Sequence, residues 1–416
     1  MTLGALAMSG VDKSRLSPKF HEPAPHVTHS DDMSPQSLDD RWRLLDVSPE
    51  VREALLDGTS SSSMDLYRRN IENFIGTVKL PLGLAGPLRV NGRFAQGDYY
   101  VPLATSEAAL VASYSRGAQL ITQAGGCAAA VLDESLTRAP GFAFASLAEA
   151  LAFEQWVKDE LPAFQRIAGT TTKYGKLIGL LTTIEGNHVY VRFEFTTGEA
   201  SGQNMSTIAT DAVCRHIAEH SPIRPRYWFI EANLSSDKKA SMQTLMTVRG
   251  KRVSADVVIP ADLVEARLHT TVERMVQYWV MSATGAVLSG TVGVHGHYAN
   301  CIAALYIACG QDAACVAESA LGMSRLELTD AGDLYASVML PNIMVATVGG
   351  GTSLPSARAC LQILGVSGPD SARALAEVCA SLCLAGELSI SGAICAGHFS
   401  AAHQRFARGS ADRRNQ

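Results

Sequence analysis

Charge is scarce in this chain. Only 18% of its 416 residues are Asp, Glu, Lys or Arg, below the usual quarter for soluble proteins, which implies a large buried interior or a subunit interface. The net charge is −5, so nothing argues for a nucleic-acid partner. No Cys-x-x-Cys pair and no Cys/His grouping has zinc spacing, so no metal is expected. The nine cysteines are an odd number and most lie in apolar helical runs, the pattern of a reduced, cytoplasmic chain rather than a disulfide framework. Residues 1–15 lack a long apolar core and carry Asp12, Lys13 and Arg15, so no secretory signal is expected. Met275 to Gln311 has no charged residue and is long enough to span a bilayer on length alone. Gly285, Gly290, His295, His297 and Asn300 interrupt it, and interior packing is expected instead, with no membrane partner.

What is present is enough for two or three domains. Residues 1–35 are rich in Ser, Pro and His and are expected to form a flexible arm. "SPEVREALLDG" (48–58) reads as a short helix with a Ser cap, Pro at its first position and a closing Gly. "LPLGLAGPLRVNG" (80–92) reads as turn-rich, and Ser106 to Thr122 as helical. From about 140 to 230 the order is α-β-β-α-β, with a Gly-Asn turn inside "GKLIGLLTTIEGNHVYVRFEFTTG", which suits a small split β-α-β layer. Residues 242–259 read as a hairpin around "RGKR". The remainder is expected to be mostly helical.

Polar groups in or beside the uncharged stretches are expected to be buried, and so paired or shifted in pKa. That points to Asp312, His398 and His403. Each has a plain alternative. Asp312 could cap a helical turn beginning at "GQDAACVAES". Glu107, in "ATSEAALVAS", sits in an expected first helical turn, where a carboxylate favours the helix dipole. His403 could be a surface histidine, and "SSDKKAS" (235–241) a solvated turn. "TVGGGTS" (347–353) could approach a phosphate through backbone N–H groups, but no P-loop and no dinucleotide fingerprint is present.

Taken in order, the segments "ENFIG" (72–76), "LPLGLAGP" (80–87), "PLATSEAALVAS" (102–113), "GEASGQNM" (198–205), "SSDKK" (235–239), "YIACGQDAA" (306–314), "TVGGGTSLPSARACLQILGV" (347–366) and "AGELSISGAICAGHFSAAH" (385–403) resemble class I 3-hydroxy-3-methylglutaryl-CoA (HMG-CoA) reductase in a soluble form. The resemblance implies an α+β fold. Residues 36–138 and 231–405 would form a large, mostly helical substrate domain, 139–230 an inserted ferredoxin-like cofactor domain, and 406–416 a polar tail. It also implies homodimers or dimers of dimers with shared active sites. The reaction implied is NADPH-dependent reduction of HMG-CoA to mevalonate and CoA by two hydride transfers.

By the same resemblance, Lys238 would stabilise the oxyanion, His403 would protonate the departing thiolate, and Glu107 would protonate the aldehyde oxygen. Asp312 would bridge Lys238 and Glu107. Arg138, Asp237, Lys239, His297 and Asn300 would meet the acyl-CoA. Thr172, Lys173, Glu199, Gly202, Asn204, Gly349, Gly350 and Gly351 would meet the cofactor, with Lys173 favouring NADPH over NADH. The small residues of "SSDKKAS" would leave room for the thioester carbonyl. Two departures stand out: Val280 replaces a usual lysine and Glu231 a usual serine, and both would disfavour a dianionic acyl tail. Reduction of a different acyl thioester is therefore a second reading, and a non-catalytic CoA- or nucleotide-binding homologue a third.

Overall fold

The computed structural model describes residues 25–27 and 31–398. His403, most of the expected arm and the polar tail lie outside the described residues. The chain divides into two compact units, residues 1–79 and 80–416, so the expected boundaries at 139 and 230 fall inside the second unit.

The first unit holds helices α1 (Pro35–Arg43), α2 (Pro49–Leu55) and α3 (Gly58–Ser62). Residues 31–35 belong to its structure rather than to an arm. Met33 packs with Leu38, Trp42 and Phe74, and Ser34 caps α1, its hydroxyl accepting from the Ser37 amide. The helix expected over 48–58 is α2, but it stops at Leu55. Asp57 takes a hydrogen bond from the Ser60 amide and caps a new helix, so Gly58 opens α3 instead of closing α2.

The second unit runs β1 (Leu82–Gly92), β2 (Gln96–Ala104), α4 (Leu110–Gln123), β3 (Cys127–Arg138), β4 (Gly141–Ala143), α5 (Leu147–Asp159), α6 (Leu161–Thr171), β5 (Lys176–Glu185), β6 (His188–Thr196), α7 (Gln203–His220), β7 (Tyr227–Phe229), α8 (Met242–Met246), β8 (Gly250–Ile259), α9 (Ala261–Leu268), α10 (Val272–Ser289), α11 (Tyr298–Ala308), α12 (Val316–Ser319), β9 (Met323–Leu328), β10 (Leu334–Ile343), α13 (Pro355–Leu364) and α14 (Ser371–Cys395). The strands join in the order β7-β4-β6-β3-β8-β10-β9, with β5 on β6 and the β1–β2 hairpin on β3. Strand β3 links the two halves: its first part pairs with β1 and β8, and Leu136 to Arg138 pair with β6.

The Gly-Asn hairpin of β5 and β6 and the helices flanking it follow the expected order. Elsewhere the large region carries more sheet than expected. The turn-rich segment at 80–92 is mostly strand β1. Its glycines mark close approaches rather than turns: a Cβ at Gly83 would lie 2.7 Å from Val111 on α4. The expected 242–259 hairpin is a short helix followed by one strand, because Ser241 caps α8 through the Thr244 amide. The run "MQTLMTV" is apolar at 242, 245, 246 and 248, a helical spacing rather than a strand's alternation, and the cap starts the helix.

Helix α14 is long and apolar enough to cross a membrane by length and composition, yet 89% of that window is buried inside the protein. It packs closely on α4, where a Cβ at Gly117 would fall 1.8 Å from the Ala385 carbonyl oxygen. Its two interior acids are buried, Glu377 at 0% and Glu387 at 5% exposure. Glu377 accepts from the amides of Phe94 (2.8 Å), Ala95 (2.8 Å) and Val131 (3.1 Å), tying the helix to the β1–β2 turn and to β3. The uncharged stretch at 275–311 is only half interior. Helix α11 is mostly buried, with Ile307 exposed, but α10 exposes Val280, Met281, Val287 and Leu288 at 54–83%. All nine cysteines are free and buried.

Candidate active site

The loop between β7 and α8 carries Asp237, Lys238 and Lys239. Its backbone is forced: Asn233, Ser236 and Lys238 adopt φ of 65°, 62° and 57°, a left-handed conformation that costs non-glycine residues about 1–3 kcal/mol each. Ser235 and Ser236 are buried, and the Ser235 carbonyl accepts from Thr137 at 3.0 Å. Ser235 and Ser236 turn inward and hold the loop, while Ala240 is exposed next to the two lysines.

Lys238 Nζ lies 2.9 Å from Asp312 Oδ2. The hydrogen bond to Asp312 raises the Lys238 pKa against the effect of burial. Burial alone would raise Asp312, but Lys238 and the Ala314 amide outweigh it and hold the carboxyl below its ordinary value. Both side chains are about two-fifths exposed (38% and 40%), so Asp312 is not the buried group expected from its neighbours in sequence. An ion pair this exposed contributes little to stability; its consequence is a lysine that stays charged. Asp312 also caps the 3-10 turn Ala313–Cys315, so the plain reading and the site reading hold together. Gln203, at the start of α7, adds a 3.4 Å contact to Asp312.

Behind Lys238 runs a buried charge network that alternates in sign. Asp237 lies 2.7 Å from Arg138 and 2.7 Å from Arg249, and Arg249 pairs with Glu318. Burial pushes Asp237 up, but the two guanidinium groups hold it below its ordinary value. Burial raises Glu318 despite Arg249. Arg138 also donates to Thr207 at 3.0 Å. Glu231 lies 3.8 Å from Arg138 and accepts from the Asn233 amide at 2.9 Å. Lys239 Nζ donates to the Asp237 carbonyl at 2.9 Å.

Glu107 precedes α4 rather than sitting in its first turn, since the helix starts at Leu110. Its carboxylate accepts from Asn300 Nδ2 at 3.2 and 3.3 Å, and among the described residues it makes no bond to Asp312. Asn300 and His297 lie at the start of α11, whereas Asp312 follows its end. The helix ends at Ala308, so about 12 Å of helical rise separates Asn300 from the turn that leads to Asp312. The expected bridge from Asp312 to Glu107 is thus not made within one chain. His297 stacks on Tyr114 with centroids 5.4 Å apart, and its Nδ1 lies 3.3 Å from Glu387.

The expected cofactor residues divide. Gly202 (φ 74°) precedes α7, which has no side-chain cap, and Asn204 is exposed in its first turn. Thr172 ends α6 and its hydroxyl accepts from the Tyr174 and Gly175 amides at 3.3 Å. Lys173 is exposed and has no hydrogen bond or ion pair among the described residues. Gly349 and Gly350 have φ of 78° and 54°, and Gly349 edges a cleft of ≈ 580 Å³ that Arg358 also lines. A Cβ at Gly351 would lie 2.4 Å from the Gly310 carbonyl oxygen, so this glycine is needed for packing. Glu199 departs from its expected role. Its carboxylate accepts from the amides of Asp370 (2.8 Å) and Ala372 (2.7 Å) and so caps α14. His398 is exposed at the end of that helix. Sequence reasoning missed Arg249, Glu318 and Glu387, which resemble ordinary scattered charges in their segments.

Lys238 beside Asp312 and Glu107 held by Asn300 are two separate groups of the kind that acid–base chemistry on a carbonyl substrate needs. A family model described as hydroxymethylglutaryl-coenzyme A reductase matches residues 37–408. The chain is 44% identical over 359 residues to the 3-hydroxy-3-methylglutaryl-coenzyme A reductase of Methanothermobacter thermautotrophicus, covering 85% of this chain and 90% of the relative. It is 42% identical over 351 residues to that of Pyrococcus horikoshii, covering 83% and 85%. Among solved structures, the class II enzyme from Streptococcus pneumoniae bound to NADPH matches with a TM-score of 0.65 at 23% identity, covering 87% of this chain and 97% of that one; that likeness speaks to the fold. The chain belongs to the hydroxymethylglutaryl-coenzyme A reductase family.

Proposed function

We propose that the protein reduces HMG-CoA to mevalonate and CoA with two NADPH. The observation that carries this reading is Lys238 held charged by Asp312 at 2.9 Å in a chain of this family. A thioester carbonyl under attack becomes an oxyanion, which needs a fixed positive donor, and Lys238 supplies it. Glu107, oriented by Asn300, protonates the aldehyde oxygen in the second reduction, and His403 protonates the CoA thiolate. Arg138, Asp237, Lys239 and His297 hold the acyl-CoA.

Bound NADPH would supply the hydrides. The residues fit such a group. The uncapped start of α7 at Gly202 and Asn204 offers backbone N–H groups to a phosphate. Gly349 and Gly350 leave open space where a side chain would stand. Unpaired Lys173 suits the adenosine 2′-phosphate, with Thr172 shaping its turn, so NADPH is favoured over NADH. Residues 139–230 act as an inserted, ferredoxin-like cofactor domain.

The working form is a homodimer, or a dimer of dimers, in the cytoplasm. Two observations support it: the apolar face of α10, exposed at Val280, Met281, Val287 and Leu288, and the separation of Glu107 from Asp312 by the length of α11. A second copy would bring one chain's Glu107 to the other's Lys238 and Asp312.

A second reading has its own support. Glu231 stands 3.8 Å from Arg138 and partly neutralises a cation meant for an acyl carboxylate, which favours an acyl group less anionic than HMG. One assay decides among the readings: NADPH oxidation and thiol release with HMG-CoA and with uncharged acyl-CoA. Two NADPH per thiol with HMG-CoA supports the first reading, and activity confined to uncharged acyl-CoA the second. No oxidation with any thioester would overturn both in favour of a non-catalytic binding protein.

A further inference from the structure

Glu387 is a buried carboxylate on α14 that the proposed mechanism does not use. Its side chain is 7% exposed, and that of His297 is 14% exposed. Four contacts converge on it. The Gly296 amide donates to both oxygens at 2.8 and 3.0 Å, the His297 amide donates at 3.0 Å, and His297 Nδ1 lies at 3.3 Å. Burial alone would raise the Glu387 pKa, but the imidazole and the two amides outweigh it and hold the carboxyl below its ordinary value. It is therefore ionised near neutrality, and an ionised carboxylate can only accept. The proton at that contact belongs to His297 Nδ1.

The other titratable groups facing Glu387 do not compete for it. His295, on the far side of Gly296, stacks on Tyr298 at 4.3 Å, and burial lowers its pKa. Tyr114 on α4, Tyr278 on α10 and Tyr298 on α11 are all pushed up by burial, so they remain neutral. Cys383, one turn back on α14, is likewise raised by burial. Arg116 donates to Ser389, two residues further on, at 2.7 and 2.8 Å. The ring itself is clamped. Tyr114 stacks against it, the Tyr114 hydroxyl donates to the His297 carbonyl at 3.3 Å, and a Cβ at Gly386 would come within 3.0 Å of the ring. His297 is the residue before α11, with φ −159° and ψ 45°, and three residues on, inside the helix, Asn300 grips Glu107.

We propose that Glu387 is a positioning residue: it fixes His297 with Nδ1 as donor, so that Nε2 is left in one defined state at the entry to the helix whose Asn300 holds Glu107. The carboxylate acts through the imidazole and touches no substrate. The arrangement matches the way a buried acid sets the tautomer of an imidazole in other acid–base sites. The kinetic part rests on the reductase reading; the tautomer does not.

The test uses full-length protein labelled with 15N-histidine, with the His297 signals assigned by their loss in His297→Asn. Long-range 1H–15N spectra should report a protonated Nδ1 in the native protein and a mixed or Nε2-protonated ring in Glu387→Gln. Glu377→Gln is the control, since Glu377 accepts only backbone amides. It should lower the melting temperature without altering the His297 pattern. In turnover assays Glu387→Gln should lose about tenfold to a hundredfold in kcat with KM changed far less. An unprotonated Nδ1 in the native protein, or an unchanged pattern in Glu387→Gln, overturns the proposal and leaves Glu387 as a helix cap. If the native protein turns over no thioester while the tautomer pattern is as stated, the reductase reading fails and the positioning role of Glu387 stands.

Discussion

Removing the charge of Glu231 should tighten the grip on a carboxylated acyl chain. Glu231 Oε2 lies 3.8 Å from Arg138 Nη1, with the two side chains 28% and 11% exposed. At that distance the gross attraction is about 4 kcal/mol at an effective dielectric of ~20 and about 1 kcal/mol in water. Asp237 already holds the same guanidinium nitrogen at 2.7 Å, and Glu231 is partly solvated, so the lower end of this range applies. A release of about 1.4 kcal/mol corresponds to about tenfold in affinity. Glu231→Gln is the suitable change, because its amide oxygen can still accept from Asn233 and keep the loop in place. Initial rates should show KM for HMG-CoA falling about tenfold with kcat nearly constant, the signature of uniform binding. KM for an acyl-CoA with an uncharged acyl chain should not move. If KM for HMG-CoA stays the same or rises, Glu231 does not compete for Arg138 and the electrostatic reasoning is wrong.

Further outcomes follow from the same geometry. Lys238→Ala should cost about 10²–10³ or more in kcat while isothermal titration still detects acyl-CoA binding; near-normal turnover would refute its role. Asp312→Asn removes the partner that raises the Lys238 pKa, so the alkaline limb of the kcat profile should move to lower pH. The sign for stability is separate. Asp237 and Glu387 are both lowered in the folded state, so their contribution is present above the ordinary carboxylate values. It is lost as pH falls through their folded values, and melting temperature should drop across that acidic window. Glu318→Gln should destabilise the protein by about 3–5 kcal/mol in urea titrations, because it leaves the 1%-exposed Arg249 short of a counter-charge. Gly351→Ala should cost about 1–3 kcal/mol, since its Cβ must push Gly310 away.

Two contacts of the candidate site, Lys238–Asp312 and Asn300–Glu107, join residues that the sequence had picked out. Lys238, Asp312, Asn300 and Glu107 stand in motifs whose order could be read, and the Gly-Asn hairpin has a local turn chemistry. Strand β1 was hidden because its glycines serve close approaches to α4, β2 and α14, which no local pattern encodes. Helix α8 was missed although Ser241 before apolar residues at 242, 245 and 246 is a helix start signal, because five residues are too few for a periodicity to stand out. Glu199 reads as a cofactor residue until the start of α14 is seen to use its carboxylate. The separation of Glu107 from Asp312 is tertiary, since both segments look adjacent to the same chemistry in one dimension.

The two buried acids of α14 act together on a larger scale. Glu377 and Glu387 are ten residues apart, so they lie about 15 Å apart along the axis and about 80° apart around it. Each receives backbone amides from a different part of the chain. They work like two keys cut at different angles on one shaft. Sliding the helix by a turn, or rotating it in place, would orphan amides at both ends, at about 1–3 kcal/mol for each group. An apolar helix packed against smooth neighbours would have several near-equivalent seatings, and this one has a single seating. The Glu199 cap at one end and the approach to the C-terminal segment at the other are therefore held in fixed register by two side chains that never reach the surface.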